Sequence, residues 1–128
     1  MRQIFLYSFL LSINLHGYTA TFTATTDGDW DIGTTWGGFC SSGCTEGTDY
    51  PGSSDDVIID GYTVTIPSPF TANCRDMDLG PTCLDVSTII NFTNSRTTLN
   101  ANSILFNAGC TGLSTIVDPR SVNISLRG

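Results

Sequence analysis

The chain has 128 residues and a mass of 13.7 kDa, enough for one domain. It carries 12 acidic residues against five Arg and no Lys, so its net charge is −7 and its sequence pI is near 4.1. Nucleic acids and anionic membrane surfaces attract basic patches, so we expect neither as a partner. A hydrophobic fraction of 40% excludes wholesale disorder.

The first 17 residues have the pattern of a secretory signal peptide. A positive start at Arg2 precedes a mostly apolar run over residues 4–15, which is too short to span a bilayer as a helix. Leu15 and Gly17 suit cleavage after Gly17. We therefore expect residues 18–128 to be secreted or held at the cell surface, with no membrane insertion after cleavage.

Five cysteines fall in the expected mature chain, at Cys40, Cys44, Cys74, Cys83 and Cys110. An oxidising compartment favours disulfides over thiolate metal sites, and no His remains to complete a zinc site. We expect local bridges, Cys40 with Cys44 and Cys74 with Cys83, because both loops are short and rich in Gly, Ser or Pro. Spacing alone also allows the other pairings. Cys110 is left as a free or intermolecular thiol.

Strand signals dominate the rest of the chain, and helix signals are nearly absent. Thr, Ser, Asn, Asp and Gly fill most polar positions, and these residues disfavour helix interiors. Residues 19–25 fit a Thr-rich edge strand, and residues 57–66 predict two strands about a corner at Gly61, where a positive φ is needed. Further short runs follow at residues 77–79, 86–92, 98–101, 104–106, 113–117 and 122–126.

This series of short strands predicts an all-β fold. The dipeptide at residues 60–61 is the only hairpin-type turn between two of these strands. The later chain instead repeats a looser pattern, in which a short strand-forming run is followed by a small polar corner and another short strand-forming run. This pattern favours a parallel solenoid. An antiparallel β-sandwich is the alternative.

Two stretches of the sequence carry a family resemblance. Residues 25–38 contain G-D-W and T-T-W-G-G, and residues 51–66 contain P-G, D-D-V-I-I and G-Y-T-V-T-I. This pattern resembles the start of the parallel β-helix region of large bacterial secreted surface proteins. More distantly it is similar to the animal cell-surface domain named for its eight glycines. The likeness covers residues 24–66 closely and residues 67–128 in style.

The resemblance implies a right-handed parallel β-helix with an N-terminal cap over residues 18–56 and coils over residues 57–128. In such a fold Trp30 and Trp36 cover the open first coil, and Asp55 and Asp56 cap backbone amides at a strand entrance. The chain departs from the family by an insertion at residues 39–50, and a local disulfide would close this inserted loop. Because residues 122–128 resemble a strand in progress, we expect the front part of a longer protein.

Candidate chemistry is sparse. Asp27, Asp29 and Asp31 alternate as carboxylates do in calcium loops, but Ile32 and Gly38 stand where an EF-hand needs Gly and Glu. A looser calcium site is the only cofactor candidate. With no His or Lys in the mature chain, and no spacing that selects a carboxylate pair, we expect no catalytic residues.

Two functions are compatible with the sequence. The first is an exported, non-catalytic β-helical surface or adhesion module. The alternative is a carbohydrate-binding or polysaccharide-processing module in which Trp30, Trp36 and Tyr62 stack on sugar rings. Partners would be an extracellular polysaccharide or another surface protein, and an open end of the solenoid would allow end-to-end self-association.

Overall fold

The computed structural model describes residues 19–82, 87–93, 96–106, 114–117 and 123–126. These residues contain one short 3₁₀ helix, Gly33–Trp36, and a series of short strands. The strands are β1 (Thr21–Thr23), β2 (Gly28–Asp29), β3 (Asp56–Ile59), β4 (Thr63–Ile66), β5 (Thr71–Asn73), β6 (Asp76–Leu79), β7 (Thr88–Phe92), β8 (Thr98–Ala101), β9 (Ser103–Phe106), β10 (Ser114–Val117) and β11 (Asn123–Leu126).

The strands form three parallel sheets. Sheet 1 has the order β1-β3-β6-β9, sheet 2 the order β2-β4-β7-β10 and sheet 3 the order β5-β8-β11. From β3 onward, each set of three successive strands contributes one strand to each sheet. Every strand pairing within the described residues is parallel. The predicted all-β class is therefore confirmed, and the antiparallel sandwich is wrong, because strands joined by hairpins would pair antiparallel.

Alternation along each strand determines which side chains form the core. β3, β4, β6 and β8 bury every second residue, as expected when successive side chains point to opposite faces of a sheet. The parallel register then stacks inward residues of one strand on those of the next: Val57 on Met77, Ile59 on Leu79, Val64 on Ile90, Ile66 on Phe92 and Ala72 on Leu99. These ten side chains are all buried in one hydrophobic cluster.

The predicted strands agree with the structure at most positions. β3 and β4 flank a corner at Gly61, whose φ of 77° is positive as predicted. Among the described strands, β1 is at the edge of its sheet and pairs with β3 alone. The sequence did not predict β5, because a single small apolar residue, Ala72, makes up its buried face.

The buried cluster extends to the two indoles near the start of the described chain. Trp30 and Trp36 meet edge to face with ring centroids 5.2 Å apart, and Trp36 Nε1 donates a hydrogen bond to the Trp30 carbonyl at 2.8 Å. Phe22 of β1 contacts Trp36 in the same edge-to-face manner at 6.2 Å. Gly28 is required beside this cluster, since a Cβ there would overlap Thr35 Oγ1.

Several expectations concern residues that the structure does not describe. The predicted signal peptide falls on residues 1–17 and stays a prediction, as do the boundaries at residues 18–56 and 57–128. Cys83 and Cys110 lie outside the described residues as well. In the part of the chain that is described, no helix has the length and apolar character to cross a membrane.

Candidate functional site

A groove with a volume of about 340 Å³ lies on the outer face of sheet 1. We call it the sheet 1 groove. Its lining comes from four neighbouring strands and comprises Thr21, Asp56, Val57, Ile58, Asp76, Met77, Asp78, Ser103 and Leu105. Because β3 and β6 bury their second and fourth residues, their first and third residues face outward into this groove.

The register of sheet 1 arranges the outward residues in columns. Ile58 lies beside Asp78, and Asp78 lies beside Leu105, so one carboxylate is flanked by two apolar side chains. In the neighbouring column Asp76 lies beside Ser103, whose Oγ donates a hydrogen bond to Asp76 Oδ1 at 2.7 Å. The groove therefore combines carboxylates with aliphatic surface.

Arg75 neutralises one of the three carboxylates. Its Nε and Nη2 donate to the two oxygens of Asp56 at 2.8 and 2.5 Å, a bidentate pairing that suits the planar guanidinium. Its Nε also lies 3.7 Å from Asp76 Oδ2. The hydrogen bonds from Arg75 hold the pKa of Asp56 below its ordinary value, and the same bonds raise the pKa of Arg75.

Asp78 differs from its two neighbours. Its Oδ1 is buried and has no hydrogen-bond partner among the described residues. Arg75, the cation nearest to it in the sequence, is engaged by Asp56 and Asp76. A buried acceptor without a donor costs free energy, and Oδ1 has too little accessible surface for another molecule to reach it, so a partner would meet the rest of this half-buried carboxylate, which lines the groove.

The three aromatic residues predicted to stack on sugars do not form a platform. Trp30 and Trp36 are 0% and 8% exposed, so the stacking role predicted for them is wrong, because neither ring face can reach a ligand. Their expected role in covering the core agrees with this burial. Tyr62 is half-buried and packs against the same hydrophobic cluster.

The calcium candidate is also not assembled. Asp27 Oδ1 accepts a hydrogen bond from the Thr63 backbone N–H at 2.7 Å, which joins the loop before β2 to the start of β4. Asp27, Asp29 and Asp31 do not converge. Within the described ranges the only three acidic or thiol groups close enough to share an ion are Cys40, Cys44 and Asp49.

That last group is not a metal centre, because its two sulfurs are bonded to each other. Cys40 and Cys44 form a disulfide, as predicted, and it closes a loop within the insertion at residues 39–50. Asp49 Oδ2 instead accepts a hydrogen bond from the Thr45 backbone N–H at 2.8 Å. Disulfide sulfurs are not the thiolates that bind metal ions in proteins.

The predicted bridge between Cys74 and Cys83 stays a prediction, because only the first of the two cysteines is described. Cys74 is a free, buried thiol on the core side of the chain just after β5, and Cys83 lies outside the described residues. Burial raises the pKa of the Cys74 thiol to about 12. A thiol that is neutral and buried in this way packs as a small apolar group.

Asp55 and Asp56 were predicted to have the same role, but the structure separates them. Asp55 caps backbone amides as predicted: Ala20 N–H donates to its Oδ1 at 3.0 Å, and Gly52 N–H donates to its Oδ2 at 2.9 Å. Asp56 faces the groove and binds Arg75, and its carboxylate also accepts a hydrogen bond from the Asp76 backbone N–H. The alternation of the strand explains the difference, since consecutive residues point to opposite faces.

Sequence analysis did not predict the groove as a site. Its signal is the alternation of Asp76 and Asp78 around the apolar Met77, which marks two outward carboxylates on one strand. Their meeting with Ile58, Ser103 and Leu105 depends on the register between strands 20 or more residues apart, which no local pattern specifies.

In comparisons with known proteins, no protein-family model, curated protein or solved structure matches the chain.

Proposed function

We propose that the chain is an exported, non-catalytic module of the surface or adhesion type, built as a right-handed parallel β-helix whose outward sheet faces carry the binding surface. The observation that carries the proposal is the repeated passage of the chain through three parallel sheets. Each passage adds one strand to every sheet and stacks its inward residues on those of the previous one.

Polar side chains that stack between successive passages support the solenoid. The Asn100 amide donates to Asn73 Oδ1 at 3.0 Å and Ser103 donates to Asp76 at 2.7 Å, and each pair is separated by 27 residues. Ladders of this kind are expected when each coil lies directly on the one before it. A right-handed path is the expected hand, because connections between parallel strands are overwhelmingly right-handed.

Export is supported by two independent features. The sequence begins with the pattern of a signal peptide, and the insertion at residues 39–50 is closed by the disulfide between Cys40 and Cys44. Disulfides persist mainly in oxidising compartments. The resemblance of residues 24–66 to bacterial secreted surface proteins favours the same location.

A binding role fits the chemistry better than catalysis. The sheet 1 groove offers carboxylates, a hydroxyl and aliphatic side chains, and its one guanidinium neighbour is already paired. Because the expected mature chain contains neither His nor Lys, a hydrolase would depend on the carboxylates alone. We therefore assign the groove to recognition.

Fractionation of the producing cells tests the export part of the proposal. An antibody against the natural protein should detect it in the medium or on the protease-accessible surface, and amino-terminal sequencing should begin at Tyr18. A protein that stays in the cytoplasm and keeps Met1 would overturn the proposal.

An attachment assay tests the binding part. Purified full-length protein added in excess should reduce attachment of the producing cells to the surfaces they colonise, and the same protein unfolded by heat should not. If the protein is exported but neither its deletion nor its addition changes attachment, the adhesion role is refuted and a purely structural role at the surface is left.

A further inference from the structure

We propose that the sheet 1 groove binds an extended segment of a partner protein in which a Lys or Arg side chain lies beside an apolar residue. This deepens the proposed function, on which it rests, by naming the chemistry of the partner. The occupant is defined by three features of the groove: its charge, the position of the Asp78 carboxylate and the aliphatic surface on either side of that carboxylate.

The charge of the groove favours a cation. Three carboxylates, those of Asp56, Asp76 and Asp78, line it, and one guanidinium, that of Arg75, lies against them. Arg75 binds Asp56 through two hydrogen bonds, so the two other carboxylates leave the groove with a net negative charge. A partner with a positive charge is complementary to it, and complementary charge contributes mainly to specificity and association rate.

The position of Asp78 favours a cation that also donates hydrogen bonds. Asp78 is half-buried and lines the groove, and Arg75 is engaged by Asp56, so the ammonium of Lys or the guanidinium of Arg from a partner would be the cation that pairs with this carboxylate. A charge-assisted hydrogen bond is about twice as strong as a neutral one. Binding would therefore add a charge-assisted ion pair at the Asp78 carboxylate.

The aliphatic neighbours favour a cation on a hydrocarbon stem. Ile58 and Leu105 flank Asp78 in the same column, and Leu105 is 63% exposed. Lys and Arg side chains cover apolar surface with their methylene groups and keep the charged end at a polar partner. An apolar side chain next to the cation would cover the remaining surface of Leu105.

Two other occupants fit less well. A metal ion needs several ligand atoms around one point, and the acidic groups of the groove do not form such a cluster among the described residues. A sugar ring usually stacks on an aromatic side chain, and the residues that line the groove include none. A volume of about 340 Å³ is close to the lower end for ligand sites, which suits a few side chains of a segment.

Fluorescence anisotropy with a labelled five-residue peptide of alternating leucine and lysine tests the proposal on the full chain. A peptide of the same length with glutamine in place of lysine is the reference probe. We expect saturable binding of the lysine peptide that weakens as salt is raised, because the charged contacts are partly exposed. The glutamine peptide should bind at least tenfold more weakly.

Three variants separate the groove from the overall negative charge of the protein. Asp78→Asn should weaken binding of the lysine peptide about fivefold or more, and Leu105→Ala about threefold. Asp29→Asn removes the same charge at an exposed position on β2, which belongs to sheet 2, and should leave the affinity unchanged. Circular dichroism should show that each variant is folded. If Asp78→Asn unfolds the protein, Leu105→Ala still tests the groove, because Leu105 is exposed and its replacement should not affect folding.

Two results would overturn the proposal. Equal weakening by Asp78→Asn and Asp29→Asn would mean that the peptide responds only to net charge, and the absence of saturable binding would mean that the groove has a different occupant or none. Failure here is distinguishable from failure of the proposed function. Export and attachment that persist with Asp78→Asn would refute the groove alone, whereas a cytoplasmic protein would refute the surface role even if the peptide binds.

Discussion

Replacement of Asp55 by Ala tests how the start of the described chain is held against β3. Asp55 is only 4% exposed, and its two oxygens accept hydrogen bonds from backbone N–H groups on two different segments, at Ala20 and Gly52. Asp55→Ala removes both acceptors. It leaves Gly52 N–H buried, while Ala20 N–H is half-buried and can turn to water.

The expected loss of unfolding free energy follows from these two hydrogen bonds. A hydrogen bond to a charged group contributes about 1.5–3 kcal/mol, and an orphaned buried donor costs about 1–3 kcal/mol. The cost of burying the carboxylate itself offsets part of the gain. We expect Asp55→Ala to lower the free energy of unfolding by about 3 kcal/mol, which corresponds to a fall in Tm of roughly 15 °C for a domain of this size.

The assay is chemical denaturation followed by circular dichroism, with thermal melting as a second measurement. Asp49→Ala is the matched control, because Asp49 also accepts a hydrogen bond from a backbone N–H, that of Thr45, but at an exposed position. The control should lose less than about 1 kcal/mol. If the two variants are equally stable, burial does not strengthen the Asp55 contacts and the reasoning is refuted.

Three further outcomes are expected. Leu99→Ala should cost about 2–5 kcal/mol of unfolding free energy because Leu99 is 0% exposed, and Leu105→Ala should change it by less than about 0.5 kcal/mol; similar losses would contradict the assigned faces. Arg75→Gln should return the pKa of Asp56 toward 3.8, measured by carboxyl carbon NMR. Because the folded-state pKa of Asp56 is depressed, the ion pair stabilises the protein above the unfolded pKa, near 4, and this stability is lost as pH falls through the folded pKa. The variant and the wild type should therefore differ in stability at neutral pH and converge near pH 2; a constant difference would refute the ion pair. Cys74, whose pKa burial raises to about 12, should resist iodoacetamide at pH 8 and react once the protein is unfolded; rapid labelling of the native protein would contradict its burial, and no labelling in either state would support a disulfide at this thiol.

Local sequence patterns were sufficient to predict the strands that contain large apolar residues. Residues 57–59 and 64–66 supply β-branched or long apolar side chains on both sides of Gly61, so strand, corner and strand could be located without knowing what they pair with. The Cys40–Cys44 bridge was predictable for a similar reason, since four residues of chain bring the two sulfurs together. β5 was not predicted from the sequence, because its one inward residue is the small Ala72.

Side-chain roles were harder to predict where they depend on which face a residue occupies. Trp30 fits a core residue and a sugar platform equally well until its burial is known. Asp55 and Asp56 are chemically identical neighbours, yet one caps backbone amides inside the protein and the other binds Arg75 at its surface. Asp29 fits a calcium loop by spacing, but its carboxylate and those of Asp27 and Asp31 are not close enough together to share one ion.

The sequence by itself determined the all-β class, most of the strands, the corner at Gly61 and the local disulfide, because each depends on residues that are close along the chain. Only the tertiary structure decided the register of the parallel strands, the burial of both indoles and the groove on sheet 1. These depend on register between distant strands: Asp78 meets Ile58 and Leu105 only because three strands of one sheet stack in step. A shift of one residue would turn every one of these side chains to the opposite face.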